Sequence, residues 1–106
     1  MEWIKVFSSV EEARSQLTEN QPRLVVLRQL RLCMVRRENN FFVVQDACSH
    51  NAESLSKGKV NHLGEIICPW HGHQFNLVSG REAFERSADL KTFPVKVQED
   101  GVFIGL

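Results

Sequence analysis

The chain has no tyrosine, only three cysteines, three prolines and two methionines, and its thirteen basic and thirteen acidic side chains leave no net charge. Each shortage excludes something. With charge in balance, neither a phosphate backbone nor an anionic membrane surface is favoured, so no nucleic-acid or membrane partner is expected and any charged docking patch must be local. No segment approaches the roughly 18 apolar residues needed to span a bilayer. The start, Met1-Glu2-Trp3-Ile4-Lys5, has neither an apolar run of signal-peptide length nor twin arginines, so a cytoplasmic location is expected. At 106 residues there is room for one domain with a modest core, but not for a catalytic domain beside a second unit.

What is present is concentrated in two short stretches, Cys48-Ser49-His50 and Cys68-Pro69-Trp70-His71. Each carries one thiol and one imidazole. Thiolates suit soft or ferric iron and neutral imidazoles suit borderline metals, so a matched pair of each kind points to two metal atoms with unlike ligand sets. In Cys-x-His the intervening Ser49 aims the two side chains differently, letting them reach neighbouring metal atoms, whereas a zinc finger normally opens with Cys-x-x-Cys on one ion. A mononuclear Cys₂His₂ zinc site, structural or redox-sensing, is the competing reading. Cys33 sits in an alternating apolar run, where simple strand packing is expected. With the other two cysteines used as ligands, no intramolecular disulfide can form, which suits a reducing compartment.

Cys-x-His followed further on by Cys-x-x-His, with Cys68-Pro69-Trp70-His71-Gly72 as the second loop, resembles the signature of Rieske-type [2Fe–2S] ferredoxins, over about Val25 to Leu106. The resemblance implies an all-β fold with one short N-terminal helix. More specifically, it implies a Rieske-type antiparallel β-sandwich over residues 1–106, with a small cluster-binding subdomain at about 46–77. It also implies one [2Fe–2S] cluster per chain, with Cys48 and Cys68 on the buried iron and His50 and His71 on the outer one. The implied role is one-electron transfer from a flavin- or nicotinamide-linked reductase to a terminal oxygenase, with no catalysis by the chain itself. The small subunit of an assimilatory NADH-dependent nitrite reductase, bound to its large subunit, is an alternative. The extra loop cysteines of quinol-oxidising Rieske subunits are missing. High-potential members carry a serine after the second-loop glycine and a tyrosine nearby; here the residue is His73. A potential toward the low end of the roughly −150 to +300 mV Rieske range is therefore expected. Phe93-Pro94 is expected to form a third, shielding loop and Trp70 to screen the cluster from water. His62 reads as a solvated turn residue, residues 81–91 as solvated surface, and His73 as either a tuning group or a solvent-facing strand residue.

Around these loops the pattern is mostly β. Trp3 to Phe7 alternates as a strand, and Ser9-Val10-Glu11-Glu12 has the form of a capping box opening a helix of about ten residues. Val10, Ala13 and Leu17 share its apolar face, and Asn20-Gln21-Pro22 is expected to end it. Apolar runs at Leu24–Leu27, Leu32–Val35 and Phe41–Val44 read as antiparallel strands, with Glu38-Asn39-Asn40 as a hairpin turn whose asparagines take left-handed angles. Glu65-Ile66-Ile67 leads into Cys68, and Thr92–Val97 and Val102–Leu106 close the chain around a turn at Glu99-Asp100-Gly101.

Overall fold

The computed structural model describes residues 1–106. In chain order the first elements are β1 (Trp3–Phe7), α1 (Val10–Gln16), β2 (Arg23–Leu27), β3 (Leu30–Arg37) and β4 (Asn40–Gln45). After a single 3₁₀ turn at Leu55–Lys57 come β5 (Lys59–Val60), β6 (Glu65–Ile67), β7 (Gln74–Asn76), β8 (Thr92–Phe93), β9 (Val95–Gln98) and β10 (Gly101–Gly105). They form three antiparallel sheets of order β1-β10-β9, β2-β3-β4-β8 and β5-β6-β7. The mainly β fold with one short helix is the one expected.

Period-two alternation explains how the layers stack. Along β3, Leu32 and Met34 point to one side and Cys33 and Val35 to the other, yet all four are essentially inaccessible. The central strand is therefore covered on both faces. On one face, Leu32, Met34, Phe41 and Val43 pack with Ala13 and Leu17 of α1 and with Val102 and Ile104 of β10. On the other, Cys33, Val35 and Val44 pack with Leu55, Ile66 and Phe75 of the part that bears the loops, and with Cys48 and Cys68 themselves. Burying a side chain of this size is worth roughly 1.5–3 kcal/mol. The loop cysteines thus form the outer end of a continuous apolar core, and Cys33 is a packing residue within it.

Local chemistry departs from expectation in four places. Ser9 caps α1 by accepting from the Glu12 N–H at 3.0 Å, but Glu12 reaches back to the Ser8 hydroxyl at 2.8 Å instead of to Ser9. The helix stops at Gln16, well before Pro22, with Leu17 already extended at ψ 114°. The Arg36 guanidinium donates to the carbonyls of Arg14 and Leu17 at 2.9 and 3.2 Å, capping the end from the neighbouring strand. In the β3–β4 hairpin Arg37 pairs with Asn40, and Glu38, not an asparagine, takes the left-handed angle, φ 55°. Finally, the run from Thr92 to Val97 is two strands: proline has no amide hydrogen for a ladder, and at Pro94 the chain passes from β8, paired with β4, to β9, paired with β10.

Candidate metal centre

Both ligand loops use the same closure. The Cys48 N–H donates to the Glu53 carbonyl at 2.8 Å, and the Cys68 N–H donates to the His73 carbonyl, also at 2.8 Å. Each cysteine thus starts a loop whose ends are tied to each other. The first loop leaves β4 through Asp46, a buried carboxylate that accepts from the Ser54 hydroxyl at 2.6 Å and the Ser56 N–H at 2.9 Å. The second leaves β6 and turns through His71 and Gly72, both at φ 73°. A Cβ on Gly72 would meet no protein atom within 4 Å, so the backbone angle, not crowding, calls for glycine there. Gly58 is the opposite case: a Cβ would lie 2.0 Å from the Ile67 carbonyl oxygen, immediately before Cys68.

The four predicted ligands come together as two unlike pairs. Cys48 and Cys68 are 2% and 1% exposed, with Cys68 facing Cys48 and lying 3.8 Å from the Asn51 carboxamide oxygen. His50 and His71 sit outside them, exposed, with ring centroids 5.3 Å apart. No three His, Cys, Asp or Glu side chains converge as ligands of one ion. An inner thiol pair and an outer imidazole pair fit a [2Fe–2S] centre with two Cys on one iron and two His on the other. Burial pushes the Cys68 thiol up to about 11, while the Trp70 backbone N–H aimed at its sulfur pulls the other way. At this value the thiol is protonated at neutral pH; as a metal ligand it would be a thiolate, so loading the site would release a proton here.

The polar run after β7 is mostly exposed, as expected, but Glu82 and Leu90 within it are buried and the run reaches the site. Leu90 donates to the Gly80 carbonyl at 2.8 Å, closing residues 81–89 into a loop. At its centre Glu82 is fully buried. Its carboxylate accepts the N–H groups of Gln74, Phe84 and Arg86 at 3.1, 3.0 and 2.8 Å. It also accepts the Arg86 guanidinium at 3.1 and 2.6 Å. The bonds from Arg86 hold this carboxyl well below the usual carboxylate range, against the opposing effect of burial. From this hub the loop reaches both ligand loops: the Ser49 hydroxyl donates to the Ala88 carbonyl, and Ser87 Oγ lies 3.1 Å from His73 Nδ1. Glu82 and Ser87 escaped sequence reasoning because a carboxylate and a hydroxyl in a charged run look the same whether solvated or enclosed.

Other expected positions resolve differently. Phe93-Pro94 is not the shielding loop: Phe93 packs against the core on the helix side, and Ser87 and Ala88 are the residues that contact the ligand loops. Trp70 is 56% exposed and edge-on to His71 at 5.6 Å. More than half of its surface is therefore open. His62 is an exposed turn residue, as expected. His73 is 7% exposed and stacked on His50, not solvent-facing. Burial, followed by its neighbours His50 and Arg86, lowers its pKa below the usual histidine value.

The family model for the Rieske [2Fe-2S] domain matches residues 3–94, and the chain belongs to that family. One relative is the 3-phenylpropionate/cinnamic acid dioxygenase ferredoxin subunit of Photorhabdus laumondii, 32% identical over 69% of this chain and 70% of its own length. Ferredoxin CarAc of Metapseudomonas resinovorans is 35% identical over 69% of this chain and 68% of its own. Among solved structures, a chain in the complex of reduced oxygenase and oxidised ferredoxin of carbazole 1,9a-dioxygenase superposes with a TM-score of 0.81. It is 30% identical and is matched over 97% of this chain and 92% of that one. Like the ferredoxins among these relatives, the chain is an electron-transfer protein with a [2Fe–2S] cofactor, not a catalyst in its own right. No helix is long and apolar enough to cross a membrane.

Proposed function

We propose that this chain takes one electron from a flavin- or nicotinamide-linked reductase and delivers it to a terminal oxygenase. Cys48 and Cys68 would hold the inner iron of its cluster, and His50 and His71 the outer one. The observation that carries this reading is the layered donor set, with both thiols enclosed and both imidazoles at the surface. When bound, the cluster supplies a reversible one-electron couple. The chain supplies the rest: two closed loops hold the donors with little freedom to reorganise, the apolar core beneath the thiols excludes water, and the exposed imidazoles give the shortest way out. Trp70, open beside His71, offers an apolar contact to a docking protein. Residues 1–106 act as one domain, with the ligands in a subdomain at about 46–77. With Cys48 and Cys68 as ligands, the buried Cys33 has no partner for a disulfide, which supports a reducing, cytoplasmic setting.

The test is anaerobic, iron-replete expression followed by iron and acid-labile sulfide analysis and EPR of the reduced protein. Equimolar iron and sulfide with a Rieske-type signal is expected, and each of Cys48→Ser and Cys68→Ser should abolish it. Zinc without sulfide would refute the proposal. The partner is tested by stopped-flow reoxidation with an oxygenase component: a transient, salt-sensitive reaction is expected, whereas tight copurification with a large sirohaem and flavin protein would overturn the oxygenase assignment.

A further inference from the structure

His50 and His71 are oriented differently. His71 meets Trp70 at 74° and His50 at 59°, both non-parallel contacts. His50 has a parallel neighbour: the His73 ring lies over it with centroids 4.0 Å apart and planes 15° apart. A ligand imidazole is ordinarily oriented by a hydrogen bond to the ring nitrogen the metal does not use, and without support its terminal torsion is broad. His50, exposed on a surface loop, is backed instead by the face of a buried ring.

That ring is itself held from several directions. The His73 carbonyl closes the second ligand loop by accepting from Cys68. Its Nδ1 lies 3.1 Å from the Ser87 hydroxyl, and Phe75 lies on its inner side at 6.5 Å. Ser87 follows directly on Arg86, whose N–H and guanidinium are both bound by the enclosed Glu82 carboxylate. The contacts therefore run from Glu82 through Arg86, Ser87 and His73 to His50, and of the two outer imidazoles it is His50 that the His73 ring stacks on.

Given the proposed ligand set, on which this inference rests, we propose that His73 is a positioning residue for His50. Stacking on the imidazole fixes its plane, and the hydroxyl of Ser87 holds His73 in place. The two outer ligands are then unequal, with His50 braced and His71 free to settle against whatever docks beside Trp70.

The test compares wild type, His73→Phe, His73→Ala and Ser87→Ala as cluster-loaded full chains. Iron and sulfide content, the EPR g values of the reduced protein and ¹⁵N-histidine hyperfine couplings are measured on each. His73→Ala is expected to keep its cluster, to shift the g values, and to change the coupling of one imidazole while leaving the other unchanged. His73→Phe, which keeps a flat ring but loses the hydrogen bond, should return both measurements toward wild type, and Ser87→Ala should fall between. A loaded His73→Ala protein with unchanged g values and couplings would overturn the proposal, as would a His73→Phe protein as perturbed as His73→Ala. If His73→Ala does not retain its cluster, Ser87→Ala decides: a changed coupling at one imidazole supports the proposal, and an unchanged spectrum overturns it. A wild-type protein lacking equimolar iron and sulfide would instead signal failure of the underlying ligand reading.

Discussion

Replacing Glu82 by glutamine tests whether the loop of residues 81–89 is organised by a buried carboxylate. The substitution preserves shape and one carbonyl oxygen. Placed where Oε1 sits, that oxygen still serves the Phe84 and Arg86 N–H groups. The new amide then occupies the Oε2 position and faces two donors, the Gln74 N–H and a guanidinium nitrogen of Arg86. An orphaned buried donor costs about 1–3 kcal/mol, and the bonds that remain lose their charge-assisted strength. A total loss of about 3 kcal/mol at pH 7 is expected, or on the order of 12–24 °C in melting temperature for a domain of this size. Urea unfolding followed by tryptophan fluorescence measures it.

The effect should also depend on pH in a definite direction. Glu82 is held below its ordinary value of 4.5 in the folded chain, first by its hydrogen bond with Arg86 and then, against burial, by the backbone donors. Below 4.5 the unfolded chain takes up a proton that the folded chain resists, so wild type loses this contribution as pH falls from there through the folded value. Glutamine has no such proton, and the gap between the two proteins should narrow on acidification. A variant within about 0.5 kcal/mol of wild type at pH 7, the usual range for a solvated surface position, would refute the reasoning. So would a gap that stays constant into acid.

Three further outcomes are expected. Gly58→Ala must move either its own loop or the Ile67 carbonyl, only 2.0 Å from the added carbon; it should cost about 2 kcal/mol and lower the iron-to-protein ratio, and normal loading at unchanged stability would contradict the crowding argument. The reduction potential should fall in the lower part of the Rieske range, because the position after Gly72 carries His73 and the chain has no tyrosine hydroxyl to offer; protein-film voltammetry giving a value above roughly +150 mV would contradict this. Trp70→Ala should leave stability within about 0.5 kcal/mol and cluster content unchanged while slowing electron delivery to an oxygenase; an unaltered rate would remove Trp70 from the docking surface.

The two Cys/His loops proposed to hold the cluster and the β character of the chain were legible in residue identity because both are local patterns. A Rieske-type cluster takes thiolate and imidazole donors, and the proposed ligands Cys48 and His50, like Cys68 and His71, are close enough along the chain for spacing to limit their geometry. Alternation in β3 and β4 was equally visible. Strand existence follows from a two-residue period, but which sheet each face meets does not.

What only the tertiary structure decided is set by contacts between distant parts of the chain. That both faces of β3 are buried depends on α1 and β10 arriving on one side and the loop-bearing sheet on the other. The helix ends at Gln16 because Arg36, on a different strand, takes its last carbonyls. Thr92 to Val97 bends at Pro94 because two separate sheets claim its halves. Glu82 is internal because a turn brings the Phe84 and Arg86 N–H groups, and β7 the Gln74 N–H, around it, and His73 lies on His50 because Cys68 and Ser87 hold it there. Residue type and spacing determined which atoms could bind metal; long-range packing determined which side chains enclose and orient them, since no local pattern distinguishes a group surrounded by water from one surrounded by protein donors.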